Sequence, residues 1–455
     1  RATALLATIA GALQASPAAA AGGVCRYDGT AETQGGFPAA ALDVAIRCDR
    51  PATPRDFDFD HGGGAYATWA PEGGLAYRVA LGPLAAAGRG SDFAATSAGV
   101  LAPIGAWLAA PGVDAGVGRL EFAFLAPAGV RLLVNLAEAD RRDVLARADW
   151  RFAGYSVLTA RAPLIVAAPG PAAFAAPGRE GPDEATIRIA LLDDGFRMTP
   201  EDFSQWIGRF AGLVARYWAG FPSDRLLIAV TPGGRPRAPF GRVRGGGGAT
   251  MLLRIDRDET PAFLHQDDWV LTHELVHLGA PFAPRRQPWF MEGMATYLEP
   301  TIRALGGALP RNAVWDEWLR AMPTGAAGIS AMGLEGGGHP YWTGGLFFLM
   351  ADVELARRGD VDGLARCCRA VRRELGDAAS RSTIGEIVAV CDRAIGAPVL
   401  ETLSRRYAVP AEVDLESLWR ELGVTAGPAG VSFAETGAEL RRALFDGRRL
   451  PAPRP

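Results

Sequence analysis

The chain contains no lysine, so all 47 of its basic side chains are arginine. We attribute that bias to genomic base composition and read no function from it. The formal net charge is -3, and no arginine run is long enough to make a basic footprint, which excludes a nucleic-acid partner. Downstream of the first residues there is no run of about 18 unbroken apolar side chains, so no membrane-spanning helix is expected. Cysteine and histidine are both scarce, with five of each. No Cys-x-x-Cys spacing occurs, which argues against a thiolate metal site. The cysteines fall into two groups, Cys25 with Cys48 and Cys367, Cys368 with Cys391. One disulfide in each group with one thiol left over is the expectation, and it fits an oxidising compartment.

The first 21 residues read as an export signal: a basic start at Arg1, a short apolar core and small residues ending in Ala19-Ala20-Ala21. The mature protein is therefore expected to be secreted or periplasmic, with no stable membrane insertion once the signal is removed. At 455 residues the chain exceeds one ordinary core, and hydrophobic content of 49% with 21% charged residues is that of a folded globular protein.

Residues 22–181 break into short apolar segments punctuated by Gly, Pro and Asp. Strands are predicted at 41–47, 75–81, 120–125, 130–136 and 164–168, which suggests an antiparallel β-sandwich. Short helices are expected in Ala-rich 94–109 and in 138–148, and 169–182 has the Pro, Gly and Ala content of a linker. Beyond it strands alternate with helices. Strands are expected at 186–192, 225–231 and 249–255. A helix should open at Thr199-Pro200-Glu201-Asp202, with a capping hydroxyl, proline in the first turn and early acids. Phe203, Ile207, Phe210, Leu213, Val214 and Trp218 give that helix one buried face. From 344 onward the pattern is mostly helical, and the last residues, ending in Pro455, should be loosely packed.

One stretch carries chemistry: His273-Glu274-Leu275-Val276-His277, on a helix that should start near Asp267 or Asp268 and stop at Gly279-Ala280-Pro281. Two histidines four apart lie on one helix face, so both imidazoles can reach one zinc ion with Glu274 beside its open position. A catalytic zinc site takes three protein ligands and leaves a fourth position open. A third histidine six residues on would require His at 283 and Gly at 280, where the chain has Ala283 and Ala280. Glu292 is the better candidate, near the start of a second helix opened by Pro288. His61 and His265 read as structural, and His339, two residues before Tyr341, as an exposed loop residue or, alternatively, a second oxyanion donor.

These residues, with Trp289-Phe290-Met291-Glu292-Gly293 and Tyr341-Trp342-Thr343-Gly344-Gly345, resemble the active-site blocks of the gluzincin metallopeptidases. Within these the chain is most similar to the glycyl-aminopeptidase family and related zinc aminopeptidases. The resemblance implies an α+β multidomain protein: a β-sandwich-like part at 22–181, a thermolysin-like zinc catalytic domain at 182–300, a helical domain completing the active site at 301–424, and a tail at 425–455. It implies one Zn2+ per chain on His273, His277 and Glu292, Glu274 as general base, Tyr341 as oxyanion donor and Glu299 orienting a ligand histidine. The substrate would be a peptide or protein. Residues Gly247, Gly248 and Ala249 are the expected substrate-binding strand, accepting a peptide by edge addition. The chain departs from the family in a shorter span of fourteen residues between His277 and Glu292, and in having no acid on that strand where an aminopeptidase binds the substrate amine. Aminopeptidase and endopeptidase activity both stay open, as does an inactive peptide-binding protein that retains the fold.

Overall fold

The computed structural model describes residues 22–453 apart from 72–73, 89–91, 175–181, 284–286, 337–338, 428–429 and 446–449. The expected export signal and the middle of the expected linker lie outside the described residues.

Two main sheets and a two-stranded one, Phe57–Asp58 with Ala110–Pro111, form the N-terminal part among the described residues. The larger has seven strands, including Gly23–Glu32, Ala41–Cys48 and Val117–Leu125; the smaller has four, among them Gly99–Pro103 and Tyr155–Thr159. Gly23–Glu32 runs parallel to Val117–Leu125, so the expected antiparallel sandwich contains one parallel pair. The two expected helices here are corrected. Residues 94–109 supply Ala94–Ala95 and Gly99–Pro103 as strands and only a four-residue helix, Ile104–Trp107. Residues 138–148 form most of a hairpin, Ala137–Ala139 with Arg142–Ala146. Alanine favours helix locally, but cross-strand pairing outweighs that weak preference. The disulfides are Cys25–Cys48 and Cys367–Cys391, and Cys368 is a buried free thiol.

The second half is built on a five-stranded sheet, with strands β1 (Leu164–Pro169), β2 (Glu184–Leu191), β3 (Arg225–Pro232), β4 (Phe240–Arg244) and β5 (Thr250–Ile255) in the order β1-β2-β3-β5-β4. β2, β3 and β5 are parallel, while β1 and β4 are antiparallel edges. Segment 164–168 therefore belongs to this sheet and not to the N-terminal sandwich, and the residues flanking the expected linker join two adjacent strands. Strand β4 was not expected: it is short and carries a glycine and two arginines, which mask any alternation.

One face of this sheet packs on helices, and the other meets the four-stranded sheet through Leu101, Leu133, Tyr155 and Val157 against Ala190, Leu227, Ala229 and Leu252. Helix α1 (Pro200–Trp218) opens as its sequence requires. Thr199 Oγ1 accepts the Asp202 N–H at 3.2 Å, and all six predicted face residues are buried. The end of the chain corrects another expectation. Strands Val424–Gly427 and Gly430–Phe433 form a hairpin, helix Ala438–Leu444 follows, and Phe445 and Leu450 are buried. Arg216 donates to the carbonyls of Leu450 and Pro451, at 2.8 and 3.0 Å, so the backbone there is tied down.

Three helices frame the site: α2 (Val270–His277), α3 (Pro288–Leu305) and α5 (Pro340–Arg357), with α4 (Arg311–Met332) between the last two in sequence. α3 and α5 touch backbone to backbone. A Cβ on Gly293 would collide with Gly344, and one on Gly344 would collide with the Trp289 carbonyl. Around this contact Trp289 packs on Phe347, with ring centroids 5.1 Å apart, and Phe290 on Phe348 at 5.2 Å. Small residues at the crossing set the helix separation, and aromatic area on either side supplies the cohesion. Gly344→Val is expected to destabilise the protein by about 2–3 kcal/mol through overpacking. Gly385→Ala, at an exposed helix position with room for a methyl group, should stabilise by about 0.5 kcal/mol. Denaturant midpoints of the two variants check both signs.

Candidate metal centre

Helix α2 is buried along its whole length. Its start is fixed by Asp268, whose carboxylate accepts the N–H groups of Val270 at 2.9 Å and Leu271 at 3.3 Å. The sequence placed the start near this aspartate; the structure shows why, since these donors have no partner within the helix.

His273 and His277 project from one side of α2, their ring centroids 4.9 Å apart. Their Nε2 atoms lie 3.2 and 3.5 Å from the same Glu292 Oε2, which reaches over from α3. Two ligand atoms bound to one zinc at tetrahedral angles, with bonds of about 2.0–2.1 Å, sit about 3.4 Å apart. The ligand atoms of His273, His277 and Glu274 also lie within 4.8 Å of one another. Two imidazoles and a carboxylate are a donor set zinc accepts, and the three residues named from sequence fit the ion.

Electrostatics follow from burial. Dehydration tends to raise the Glu292 carboxyl, but hydrogen bonds and positive charge from the two histidines prevail and hold it far below the usual carboxylate range. Glu274 is raised, chiefly by burial and further by Glu292, against the opposing pull of both histidines. Burial lowers His277, yet its hydrogen bond to Glu292 and the two nearby carboxylates raise it overall. Glu274 also accepts the N–H of Val243 from β4. The strand comes this close because residue 241 is glycine; a Cβ there would run into Glu274 Cγ and Val270 Cγ1.

Tyr341, at the start of α5, is 44% exposed, with its ring 5.8 Å from that of His273 and its hydroxyl bonded to Glu292. Trp269 is 51% exposed, its ring 5.3 Å from that of His273. These two aromatics rim the open side of the histidine pair.

Two expectations are corrected. Glu299 lies on α3, but it pairs with Arg303 at 2.7 Å and has no bond to either histidine among the described contacts. Arg303 also donates to the Gln266 carbonyl at 2.7 Å, tying α3 to the segment before α2. The expected substrate strand is also elsewhere. Ala249 is buried, its carbonyl accepting the Asn135 side chain at 2.6 Å, and a Cβ on Gly247 or Gly248 would meet Leu145 or the Asn135 carbonyl. β5 has neighbours on both sides, whereas β4 is the free edge beside Glu274. Sequence reasoning missed Asp268 as a cap, Gly241, Val243 and Trp269. Of these only Asp268, at a predicted helix start, left a local signal.

Burial pushes Glu299 up to about 8 and Asp268 up to about 6, in each case against the pull of Arg303. An acid raised in the folded state holds its proton there after the unfolded chain has lost it. Its contribution is full below the ordinary value of 4.5 and declines as pH rises towards 8. Glu299→Gln removes that titration. The stability of the unsubstituted protein relative to this variant should fall steadily between about pH 4.5 and 8, as read from denaturant midpoints across that range.

No protein-family model and no curated protein matches the sequence. Solved structures do match. An aminopeptidase N family protein from Idiomarina loihiensis aligns with a TM-score of 0.61 at 13% identity, over 88% of this chain and 78% of that one. An M1 zinc metallopeptidase from Deinococcus radiodurans aligns at a TM-score of 0.45 and 11% identity, over 86% and 95% of the two chains. A mutant of it bound to a Tyr-Ser-Ala substrate aligns at 0.47 and 11%, over 86% and 94%. The first likeness is one of fold: this chain shares its mixed α+β architecture with a protein of the aminopeptidase N family.

Proposed function

We propose that the chain is an exported zinc-dependent metallopeptidase, with His273, His277 and Glu292 holding one ion. The observation that carries this reading is the approach of both Nε2 atoms to one Glu292 oxygen, at 3.2 and 3.5 Å, with Glu274 alongside. When bound, zinc supplies Lewis acidity, polarising a carbonyl and acidifying water at neutral pH.

The chain's own residues supply the rest. Glu274 is held by the Val243 N–H, and its raised affinity for a proton suits a base that takes one from water and returns it to the leaving amine. Tyr341, half-exposed beside His273, donates its hydroxyl to the oxyanion that forms on the substrate. The free edge of β4 offers a peptide main-chain partners next to Glu274. The disulfides Cys25–Cys48 and Cys367–Cys391 support export, since such bonds persist in oxidising compartments. No helix among the described residues is long and apolar enough to cross a membrane.

Elemental analysis should find about one zinc per chain, and His273→Ala should lose most of it. Glu274→Gln should keep the metal and lower peptide hydrolysis by about 10³ or more; full activity in that variant overturns the reading. Tyr341→Phe should reduce kcat by about 10²–10³ with a much smaller change in KM, as expected of a bond made in the transition state.

A further inference from the structure

The free edge strand beside Glu274 carries two arginines and no acid. Gly241 and Val243 face α2, so Arg242 and Arg244 extend from the other side of β4. Asp92 meets both: Arg242 Nη1 is 3.0 Å from its Oδ1, and Arg244 Nη1 is 3.6 Å from its Oδ2. The Tyr155 hydroxyl donates to the same carboxylate at 2.6 Å. Among the described ion pairs, Asp92 is the one acid these arginines share, so the group keeps one positive charge in excess.

The two arginines differ in freedom. Arg244 is buried and spent: it donates to the carbonyls of Ala153 at 3.1 Å and Arg151 at 3.3 Å, and lies 3.2 Å from His61 Nε2. Arg242 is half-exposed, its guanidinium 5.5 Å from the Phe240 ring centroid and within electrostatic reach of Glu274 and Tyr341. Asp92 orients Arg242 through one nitrogen, which leaves the rest of the planar fork for a second acceptor. The rings of Trp269 and Tyr341 thus border the histidine pair, while the free edge of β4 beside Glu274 carries this cation on its face away from α2.

We propose that Arg242 is a specificity-determining residue and that the cleft selects peptides carrying a carboxylate that Arg242 binds as they lie along β4. The inference rests on reading the cleft as a peptide site. A positive charge at this edge disfavours a substrate ammonium and favours an acidic side chain or terminus. Attraction also speeds the encounter of anionic peptides and weakens with salt.

The test uses labelled peptides identical except for Glu or Gln at successive positions, and measures binding by anisotropy to zinc-loaded protein carrying Glu274→Gln, so that turnover does not interfere. At one position Glu should bind about five- to tenfold tighter than Gln, the ratio of one partly exposed charge-assisted bond. Adding Arg242→Ala should bring the ratio close to one, Arg242→Lys should retain part of it, and Arg242→Glu should shift the preference to Lys at that position. Equal binding of Glu and Gln peptides throughout, or a preference untouched by Arg242→Ala and Arg242→Glu, overturns the proposal. Hydrolysis by the unsubstituted protein is scored separately. Acid preference in binding without any hydrolysis supports the Arg242 assignment and sinks the peptidase reading; hydrolysis without acid preference does the reverse.

Discussion

A buried carboxylate, a half-buried one and two buried imidazoles gathered around one point would be intolerable unless their charges offset one another, and that constraint shapes the second half of the molecule. Burying ionisable groups is costly unless each is paired, and here each carboxylate has partners: Glu292 the two histidines, Glu274 the same histidines and the Val243 N–H. The arrangement tolerates little displacement. Moving Glu292 by about an ångström would leave both a carboxylate and an imidazole without their bond.

Several unrelated-looking features serve that precision. Gly293 and Gly344 let α3 and α5 approach until Glu292 and Tyr341 address the same histidine. Asp268 pins the start of α2, and Arg303 ties the segment before it to α3. Gly241 lets the edge strand lie against Glu274, so the group read as a base and the surface read as a peptide platform are adjacent by construction. On the far side of the sheet the N-terminal part contributes Asp92, which pairs with Arg242, and Tyr155, which donates to Asp92. The N-terminal sheets therefore bear on the chemistry of the cleft as well as on its support.

What was legible in the sequence was local. The spacing of His273 and His277, the Thr199 cap with its buried stripe, and Pro288 opening the helix of Glu292 all rest on helical periodicity and end effects, which act over a few residues. The cysteine groups were legible for a related reason, since each contains two residues close enough in sequence to pair. Misreadings arose where partners are distant. Residues 94–103 and 138–146 have helical composition but supply paired strands, and Glu299 took Arg303 as its partner instead of a histidine. Arg242 and Asp92 are 150 positions apart, beyond any local pattern.

By itself, then, the sequence determined which side chains could share a cation and that they would be carried on two successive helices, because i and i+4 geometry is a property of the helix alone. Only the tertiary structure decided that one oxygen of Glu292 lies close to both histidines, that β4 and not the strand just before the histidine helix in the chain is the open edge, and that this edge carries two arginines sharing one aspartate. Those outcomes depend on helix crossing, strand order and contact between the two halves, which are set by packing across the whole chain and leave no periodic trace in it.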